Sequence, residues 1–447
     1  MKNLVRVLVG LLGLMAMMLL ASCSGAPGCP QFGFGSSTAC SSGGSGSFGG
    51  GGTGGGGGGG GGGSTPSAFA YAVDSTYSTI DGFAFSNSGG SFAAISNYTA
   101  PSIPPNDGGV GMVIAQSQYL YAAFASANLI YEYTINSSGQ LTPVANQATF
   151  SAPYLADYVS GVGQANMIVN PLGTLMFVSD ELEQVIHVYE IGSAGVLSEV
   201  TGSPFACPAG FEPMNLATDG LGKYLYAVDG NFVTHQGTAI AAFSIGTGTN
   251  FGVLTPLASS PFVGTPFNMW QLRGDPTGNY LIGTSGSSVA FSGFDDDNLY
   301  VFQIAQSGST NPGSITLLTT ETTGTYSPYT IAAQSNTDGD LVYSFGFTDN
   351  SGVLTLNPIV GFTLTGTGGL TADSNSPFTT LTTAEGTWGQ FDQSGAFLFT
   401  YVSGENSSGV TITQLAPLAV STSGALVQPA PAVTLNNPGF WAVTDPQ

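Results

Sequence analysis

The pattern of apolar and polar positions from residue 67 onward is that of short β-strands. Runs rich in aromatic and branched side chains alternate with clusters of Gly, Ser, Thr and Asn. No stretch shows the 3.6-residue spacing of apolar positions that an amphipathic helix needs. Strand-forming runs bounded by turn residues predict an all-β domain.

The β-rich runs recur as a unit of about 50 residues. Each copy begins with a strand, a tight turn ending in Gly and a second strand, as in "NLATDGLGKYLYAVD" (215–229). A third strand follows, such as "AIAAFSI" (239–245), and then a weaker fourth one, such as "GVLTPLASSPF" (252–262). Four strands per unit at this period predict the blade of a β-propeller.

The two ends of the chain hold incomplete units that complement each other. "FAYAVDS" (69–75) matches the second strand of a unit, whereas "FWAVTDP" (440–446) matches a first strand. The C-terminal strand (438–447) is therefore expected to complete the first blade and to remove an open sheet edge. The sequence predicts a seven-bladed β-propeller of four-stranded blades, whose units begin near residues 69, 111, 164, 213, 268, 329 and 386.

The composition restricts the partners of this domain. Charged residues make up only 7% of the chain, and the four basic ones are Lys2, Arg6, Lys223 and Arg273, against 26 acidic residues. Nucleic acids and anionic membrane surfaces are bound through Lys and Arg, so both are excluded as partners. A phosphorylated substrate is also difficult to hold with so few cations. The neutral polar surface is typical of secreted and envelope proteins.

The first 66 residues predict an export signal and a flexible tether. A basic start, an apolar run and small residues before Cys23 make residues 1–22 resemble a bacterial lipoprotein signal. Cys23 would then carry the lipid that anchors the protein in the membrane, and Ser24 favours the outer membrane. The Gly/Ser-rich residues that follow cannot form a core and predict a flexible tether (23–66) before the propeller (67–447). Cys29 and Cys40 either form a disulfide there or stay unpaired.

The repeat resembles that of a known family. Its pattern, D-P-x-G-x-x-L-Y followed by I-x-x-Y-x-I and G-x-L-T with a terminal S-P-F (203–205, 260–262 and 376–378), is similar to lactonase-type seven-bladed propellers, which include 6-phosphogluconolactonase-like and YVTN-repeat proteins. The resemblance implies His, Arg and acidic residues around the central channel that bind an anionic substrate. This sequence departs from it, because it has two histidines and one arginine in the propeller.

Two residues are candidates for catalysis. Arg273 lies on an innermost strand, where other blades carry Ile168, Ala217 and Val443, and it either binds a ligand oxygen or pairs with a structural carboxylate. His235 lies in a loop between second and third strands and is either a general base or a solvated side chain. His187, in a third strand, is expected to pack or to lie at an edge.

Other residues are candidates for ligand binding. Asp295, Asp296 and Asp297 form the acidic cluster of a loop, which is either a Ca²⁺ site or a solvated turn. Amides and indoles near the start of the innermost strands suit a neutral polar ligand such as a sugar, or else pack between blades. These residues are Asn166, Asn215, Gln271, Trp388 and Trp441.

Two functions follow from this pattern, and a purely structural propeller is the third possibility. The absence of a complete catalytic set in the sequence favours a non-catalytic binding module in the cell envelope, monomeric, with a neutral carbohydrate or a protein as partner. The alternative is a lactonase-like hydrolase that uses Arg273, His235 and a carboxylate or bound Ca²⁺ at the central channel. A fold alone does not decide between them.

Overall fold

A computed structural model describes most of the β-rich part of the chain. The described residues are 66, 68–74, 79–86, 91–95, 109–124, 129–144, 148–149, 167–181, 183–230, 239–263, 269–284, 297–324, 326, 328–336, 339–350, 353–379, 388–392, 394–405, 411–429, 431–435 and 438–444. Apart from strands and turns they contain one short 3-10 helix, Gly248–Asn250. No helix in these ranges has the length and the apolar character needed to cross a membrane.

Residues 62–350 and 354–447 form one compact unit, and this unit contains the propeller. A second unit, residues 1–61 with 351–353, lies almost wholly outside the described residues. The signal segment (1–22), the lipidated Cys23, the tether and the pairing of Cys29 with Cys40 therefore remain predictions.

The strands are numbered in chain order, and the first three blades show the common plan of four antiparallel strands. Blade 1 contains β1 (Ala68–Asp74), β2 (Thr79–Ser86), β3 (Ser91–Ala94) and the last strand of the chain, β33 (Pro438–Thr444). Blade 2 contains β4 (Gly109–Ala115), β5 (Tyr119–Phe124), β6 (Leu129–Ile135), β7 (Leu141–Pro143) and the short β8 (Ala148–Thr149). Blade 3 contains β9 (Met167–Val169), β10 (Leu175–Asp180), β11 (Val185–Ile191), β12 (Leu197–Glu199) and β13 (Phe205–Ala206).

The other four blades repeat this plan. Blade 4 contains β14 (Pro213–Thr218), β15 (Tyr224–Asp229), β16 (Ala239–Ile245), β17 (Leu254–Pro256) and β18 (Phe262–Val263). Blade 5 contains β19 (Gln271–Gly274), β20 (Tyr280–Thr284), β21 (Asn298–Ile304) and β22 (Ile315–Thr322). Blade 6 contains β23 (Pro328–Gln334), β24 (Asp340–Asn350), β25 (Val353–Leu356), β26 (Val360–Leu364) and β27 (Leu370–Ala372). Blade 7 contains β28 (Trp388–Phe391), β29 (Phe397–Glu405), β30 (Thr411–Val420), β31 (Leu426–Val427) and β32 (Val433–Thr434).

The ring closes through the C-terminal strand, which confirms the predicted seven-bladed propeller. β33 pairs antiparallel with β1, with Phe69 opposite Thr444 and Ala72 opposite Trp441. Each innermost strand contacts the innermost strand of the next blade, in the cycle β33, β4, β9, β14, β19, β23, β28 and back to β33. β33 is therefore the inner strand of blade 1, as the sequence predicts.

Aromatic side chains pack the seam between the first and last blades. Phe85 of blade 1 is fully buried, and its ring centroid lies 4.9 Å from that of Phe397 and 5.5 Å from that of Phe399, both of blade 7. Phe92 joins the cluster at 5.8 Å from Phe399. The two edge-to-face contacts of Phe85 stabilise the closed ring beyond the area they bury.

Blades 6 and 7 share one sheet, which the sequence did not predict. β24 is 11 residues long, and the chain turns back from it into β25. β25 pairs in parallel with β29, with Thr355 opposite Glu405. The second-to-third-strand hairpins of these two blades are therefore joined by backbone hydrogen bonds across the blade boundary.

The acidic residue of the D-P-x-G motif holds the turn between the first and second strands. Asp219 Oδ1 accepts hydrogen bonds from the backbone N–H groups of Lys223 (2.6 Å) and Tyr224 (2.7 Å). Asp392 does the same toward Phe397 N at 2.9 Å, and both carboxyl groups are buried. These carboxylates satisfy turn donors that would otherwise be buried without partners, so their role is structural.

The S-P-F motif fastens the outer strand to the third strand. Ser203 Oγ accepts a hydrogen bond from Val188 N at 3.0 Å, and Ser260 Oγ accepts one from Ala242 N at 2.9 Å. The peptide bond after each of these serines is cis. The hydroxyl replaces the backbone acceptor that the kinked outer strand cannot supply, which explains why the motif recurs at the same place in the unit.

Buried tyrosines of four second strands link their blade to the next one. The Tyr226 hydroxyl donates to Gly313 O of blade 5 at 2.9 Å, and the other bonds of this kind are Tyr71 to Gly139, Tyr121 to Gly195 and Tyr343 to Gly424 (2.7–2.8 Å). These side chains are fully buried, and burial raises the pKa of each phenol. Gly313 has φ +82°, and a Cβ there would overlap the Tyr224 ring, so only glycine fits the turn that receives the bond.

Removing one of these hydroxyls tests their contribution. Tyr226→Phe is expected to lower the free energy of unfolding by about 1–2 kcal/mol, because Gly313 O loses its buried donor. Phe177 occupies the same position of blade 3 and shows that the ring alone fits there. Thermal or urea unfolding of the two proteins measures the difference. Tyr224→Phe, which alters a more exposed phenol on the same strand, is the control and should change stability less.

Candidate functional site in the central channel

One layer of the channel wall can be traced from the strand register. On each innermost strand one residue lies opposite the central residue of the second strand, as Ala217 lies opposite Tyr226. The seven residues of this channel layer are Val113, Ile168, Ala217, Arg273, Ala332, Gln390 and Ala442. Five of them are aliphatic, so Arg273 of blade 5 and Gln390 of blade 7 are the polar members. The register places Ala442, rather than the predicted Val443, level with Arg273.

Arg273 is a partly buried cation without a counter-charge in the described part of the chain. Its side chain keeps some solvent access, yet protein surrounds it closely enough that desolvation lowers the pKa of the guanidinium. Among the described residues no carboxylate forms an ion pair with it. Because a guanidinium stays protonated in proteins, Arg273 is a positive charge that has no partner among the described residues. The expected alternative, a structural Arg–carboxylate pair, is therefore not seen in the described part of the chain.

Two of the predicted ligand-binding amides link neighbouring blades. Asn215 Nδ2 donates to Trp270 O of blade 5 at 2.6 Å, and Gln271 Oε1 accepts from Ile331 N of blade 6 at 2.7 Å. Both side chains are buried. Their hydrogen-bonding groups hold inner strands together, which is the packing role that the sequence left open as the alternative to ligand binding.

The two tryptophans do not occupy equivalent positions. Trp388 lies opposite Tyr401, two residues beyond the central Phe399, as Gln271 lies opposite Thr284. Trp441 lies opposite Ala72, only one residue beyond Tyr71, so the predicted equivalence is corrected by one position. Trp388 is buried, and its Nε1–H has no hydrogen-bond partner.

Several predicted site residues lie outside the described ranges. They are Asn166, His235, Asp295 and Asp296. Asp297 is described, and its backbone oxygen accepts hydrogen bonds from Thr323 N and Oγ1. Within the described part of the chain no three His, Cys, Asp or Glu side chains gather as a metal site requires. The convergence of Arg273, His235 and the acidic loop, and the Ca²⁺ site, remain predictions.

The remaining reactive side chains have structural surroundings. His187 is buried, with Nδ1 3.2 Å from Glu199 Oε1, and Ser203 Oγ donates to the same carboxylate oxygen at 2.9 Å. This arrangement ties the third strand of blade 3 to its S-P-F kink, as expected for a packing histidine. Burial raises the pKa of the Cys207 thiol to about 12, so it is not a nucleophile.

A carboxyl pair that the sequence did not reveal lies between blades 5 and 6. Asp275 holds the first turn of blade 5 by accepting from Tyr280 N at 2.6 Å, and its carboxylate is hydrogen-bonded to Asp340, the first residue of β24. Both are buried. Burial and the charge of Asp275 raise the pKa of Asp340 to about 6, so the pair holds a proton in mildly acidic solution.

This pair predicts a decline of stability with rising pH. The folded pKa of Asp340 exceeds the unfolded value of about 3.9, so its stabilisation is complete below about pH 4 and is lost as the pH rises through about 6. Asp340→Asn keeps a donor toward Asp275 and removes the charge. We expect it to abolish this decline and to raise the free energy of unfolding above pH 7 by about 2–3 kcal/mol. Urea unfolding from pH 4 to 8 is the measurement; parallel pH profiles for the two proteins would contradict the shared proton.

The chain is similar to known proteins in its sequence and in its fold. No family model matches the chain. The 6-phosphogluconolactonase of Sodalis glossinidius (strain morsitans) is 26% identical over 201 residues, 44% of this chain and 53% of that protein. The match thus spans about half the length of this relative.

Solved structures extend the likeness to nearly the whole propeller. The periplasmic gluconolactonase of Pseudomonas aeruginosa superposes with a TM-score of 0.57 at 14% identity, covering 85% of this chain and 99% of that one. A protein from Lactobacillus plantarum also gives 0.57 at 14% identity, with 85% and 98% covered. The fold is that of the lactonase-type seven-bladed propellers. Within that fold, Arg273 is a cation on an innermost strand, whereas the amide groups of Asn215 and Gln271 hold neighbouring inner strands together.

Proposed function

We propose that the chain is a hydrolase of small, unphosphorylated lactones, with its reaction centre at Arg273 in the channel. The observation that carries the proposal is the guanidinium, which has no counter-ion among the described residues and whose neighbours in the channel layer, Ala217 and Ala332, are aliphatic. A buried charge without a partner costs several kcal/mol, so a ligand oxygen is its natural complement. The comparisons favour this function over the non-catalytic binding module that the composition favours.

The chemistry of lactone opening matches such a group. Water adds to the ring carbonyl carbon, the carbonyl oxygen takes up negative charge, and the ring C–O bond then breaks to give a hydroxyl and a carboxylic acid that ionises. Arg273 would bind the carbonyl oxygen and strengthen its hold as the charge develops, which is electrostatic transition-state stabilisation. The same fork of N–H groups donates hydrogen bonds to the product carboxylate.

The scarcity of cations sets the substrate class. Lys223, the second basic residue of the propeller, is exposed in the turn between the first and second strands of blade 4, away from the channel layer. One guanidinium suits the single charge of a carboxylate better than the double charge of a phosphate. The likeness to a periplasmic gluconolactonase therefore guides the choice of substrate more than the likeness to a 6-phosphogluconolactonase.

An envelope location fits the same proposal. Residues 1–22 resemble an export signal, and the similar Pseudomonas aeruginosa protein is periplasmic. Anchoring through a lipid on Cys23 would hold the propeller near the membrane. Mass spectrometry of the N-terminal peptide from membrane fractions tests the anchor separately from the activity.

A lactone panel tests the hydrolase. Proton release is followed for the purified full chain with glucono-1,5-lactone, ribono-1,4-lactone, γ-butyrolactone and 6-phosphogluconolactone, each corrected for spontaneous opening. We expect kcat/KM of at least about 10⁴ M⁻¹s⁻¹ for an unphosphorylated lactone, the lower end of enzyme–substrate pairs. Rates equal to the blank for every lactone would contradict the proposal.

A further inference from the structure

Gln390 is the second polar residue of the channel layer, and its carbonyl oxygen is unused. The residue lies on β28, opposite Phe399, at the level of Arg273. Its Oε1 is buried and has no hydrogen-bond partner. A buried acceptor without a donor is unfavourable, because it has lost its hydrogen bonds to water without replacing them. The aliphatic residues at the same level of the other blades show that the fold does not require an amide here.

A complementary donor lies two residues earlier on the same strand. Trp388 is 6% exposed, and its Nε1–H also lacks a partner. Residues two apart on a strand share a face, so the free donor and the free acceptor belong to the same side of blade 7. The Thr400 hydroxyl is unpartnered as well, but Thr400 pairs with Gly389 and therefore belongs to the opposite face.

The chemistry of this pair selects a hydroxyl group. An indole N–H only donates and an amide carbonyl only accepts, whereas a hydroxyl does both. A carboxylate would satisfy Trp388 and leave Gln390 unpaired, and an ammonium would do the reverse. Neither residue carries charge, so the complementary group is neutral.

We propose that Trp388 and Gln390 form a hydroxyl-binding subsite of the channel and determine its specificity for hydroxylated ligands. Arg273 holds the carbonyl or carboxylate oxygen of the ligand, and the subsite binds a ring or chain hydroxyl of the same molecule. The effect on catalysis rests on the proposed hydrolase; the effect on binding does not. Trp388 and Gln390 are thereby distinguished from Asn215 and Gln271, whose amide groups are already used between blades.

Matched lactones test the catalytic consequence. The rates of ribono-1,4-lactone and of γ-butyrolactone, which lacks the hydroxyls, are compared for the wild type, Gln390→Met and Trp388→Phe. Each substitution keeps the approximate size and removes one polar atom. We expect kcat/KM for ribono-1,4-lactone to fall at least about 10-fold and that for γ-butyrolactone to stay within about 2-fold. An equal fall for both lactones, or no change for either, overturns the subsite.

A binding experiment separates the subsite from the hydrolase. Calorimetric titration of the full chain compares gluconate with hexanoate, a carboxylate of the same chain length without hydroxyls. If no lactone is hydrolysed but gluconate binds at least about 10-fold more tightly, and Gln390→Met or Trp388→Phe removes that preference, the subsite holds and the hydrolase fails. If the wild type binds the two equally or binds neither, the subsite is overturned.

Discussion

Arg273→Ala is expected to lower kcat/KM for lactone hydrolysis by at least about 100-fold, the usual loss when a single group that stabilises an oxyanion is removed. The channel layer offers no replacement among its described residues, since its neighbouring members at Ala217 and Ala332 are aliphatic. Arg273→Lys keeps the charge and loses the planar fork, so it should retain part of the activity, about 10-fold below the wild type. Initial rates with the best lactone of the panel measure both.

The matched control for this experiment is Lys223→Ala. It removes the other cation of the propeller and the same unit of charge, but from an exposed turn. We expect less than a 2-fold change, because a solvated charge away from the channel is screened. Circular dichroism and melting temperature confirm that each variant is folded. A folded Arg273→Ala protein with unchanged kcat/KM would remove Arg273 from the reaction.

Deleting residues 438–447 is expected to abolish cooperative folding. The deletion removes β33, so β1 loses its hydrogen-bonded partner and the contacts of blade 1 with β4 and β28 are lost. Phe69 and Tyr71, now buried, would lie beside an open sheet edge. The loss is comparable with the whole stability of a domain, about 5–15 kcal/mol, and exposed edges promote aggregation. Thermal unfolding and size-exclusion chromatography measure the outcome.

A shorter deletion provides the control. Removing residues 445–447 leaves the whole of β33 and should leave the melting temperature within a few degrees of the wild type. Addition of a peptide with the sequence of residues 438–447 to the longer deletion should restore a cooperative transition, since a free strand can pair with the open edge. A cooperative transition of the longer deletion at the wild-type temperature would mean that the ring does not depend on this strand.

The fold could be predicted from the sequence because the unit repeats its structural devices. The turn carboxylates, the S-P-F serines and the linking tyrosines recur at fixed places, and each saturates buried backbone groups. Because the same residue types meet the same hydrogen-bonding requirement in several blades, their pattern can be recognised in the sequence alone. The merged sheet of blades 6 and 7 was not predictable, since β25 occurs in one blade and pairs across a boundary.

The candidate site was only partly predictable, because its chemistry depends on contacts between blades. Arg273 was identified from its rarity on an innermost strand. Asn215 and Gln271 look like ligands in the sequence, and only their bonds to neighbouring inner strands reveal the structural role. Gln390 is unremarkable in the sequence. Only the strand register shows that it lies level with Arg273, and only the burial of its side chain shows that its carbonyl oxygen has no hydrogen-bond partner. The proton shared by Asp275 and Asp340 was not predictable either, because the two residues lie in different blades.

The measurement that tests the central claim most directly is a crystal structure of the full chain with gluconate, the product of glucono-1,5-lactone. The prediction is a carboxylate within hydrogen-bonding distance of the Arg273 guanidinium, inside the ring of innermost strands. A ligand bound elsewhere, or an Arg273 side chain paired with a carboxylate of the chain itself, would contradict it.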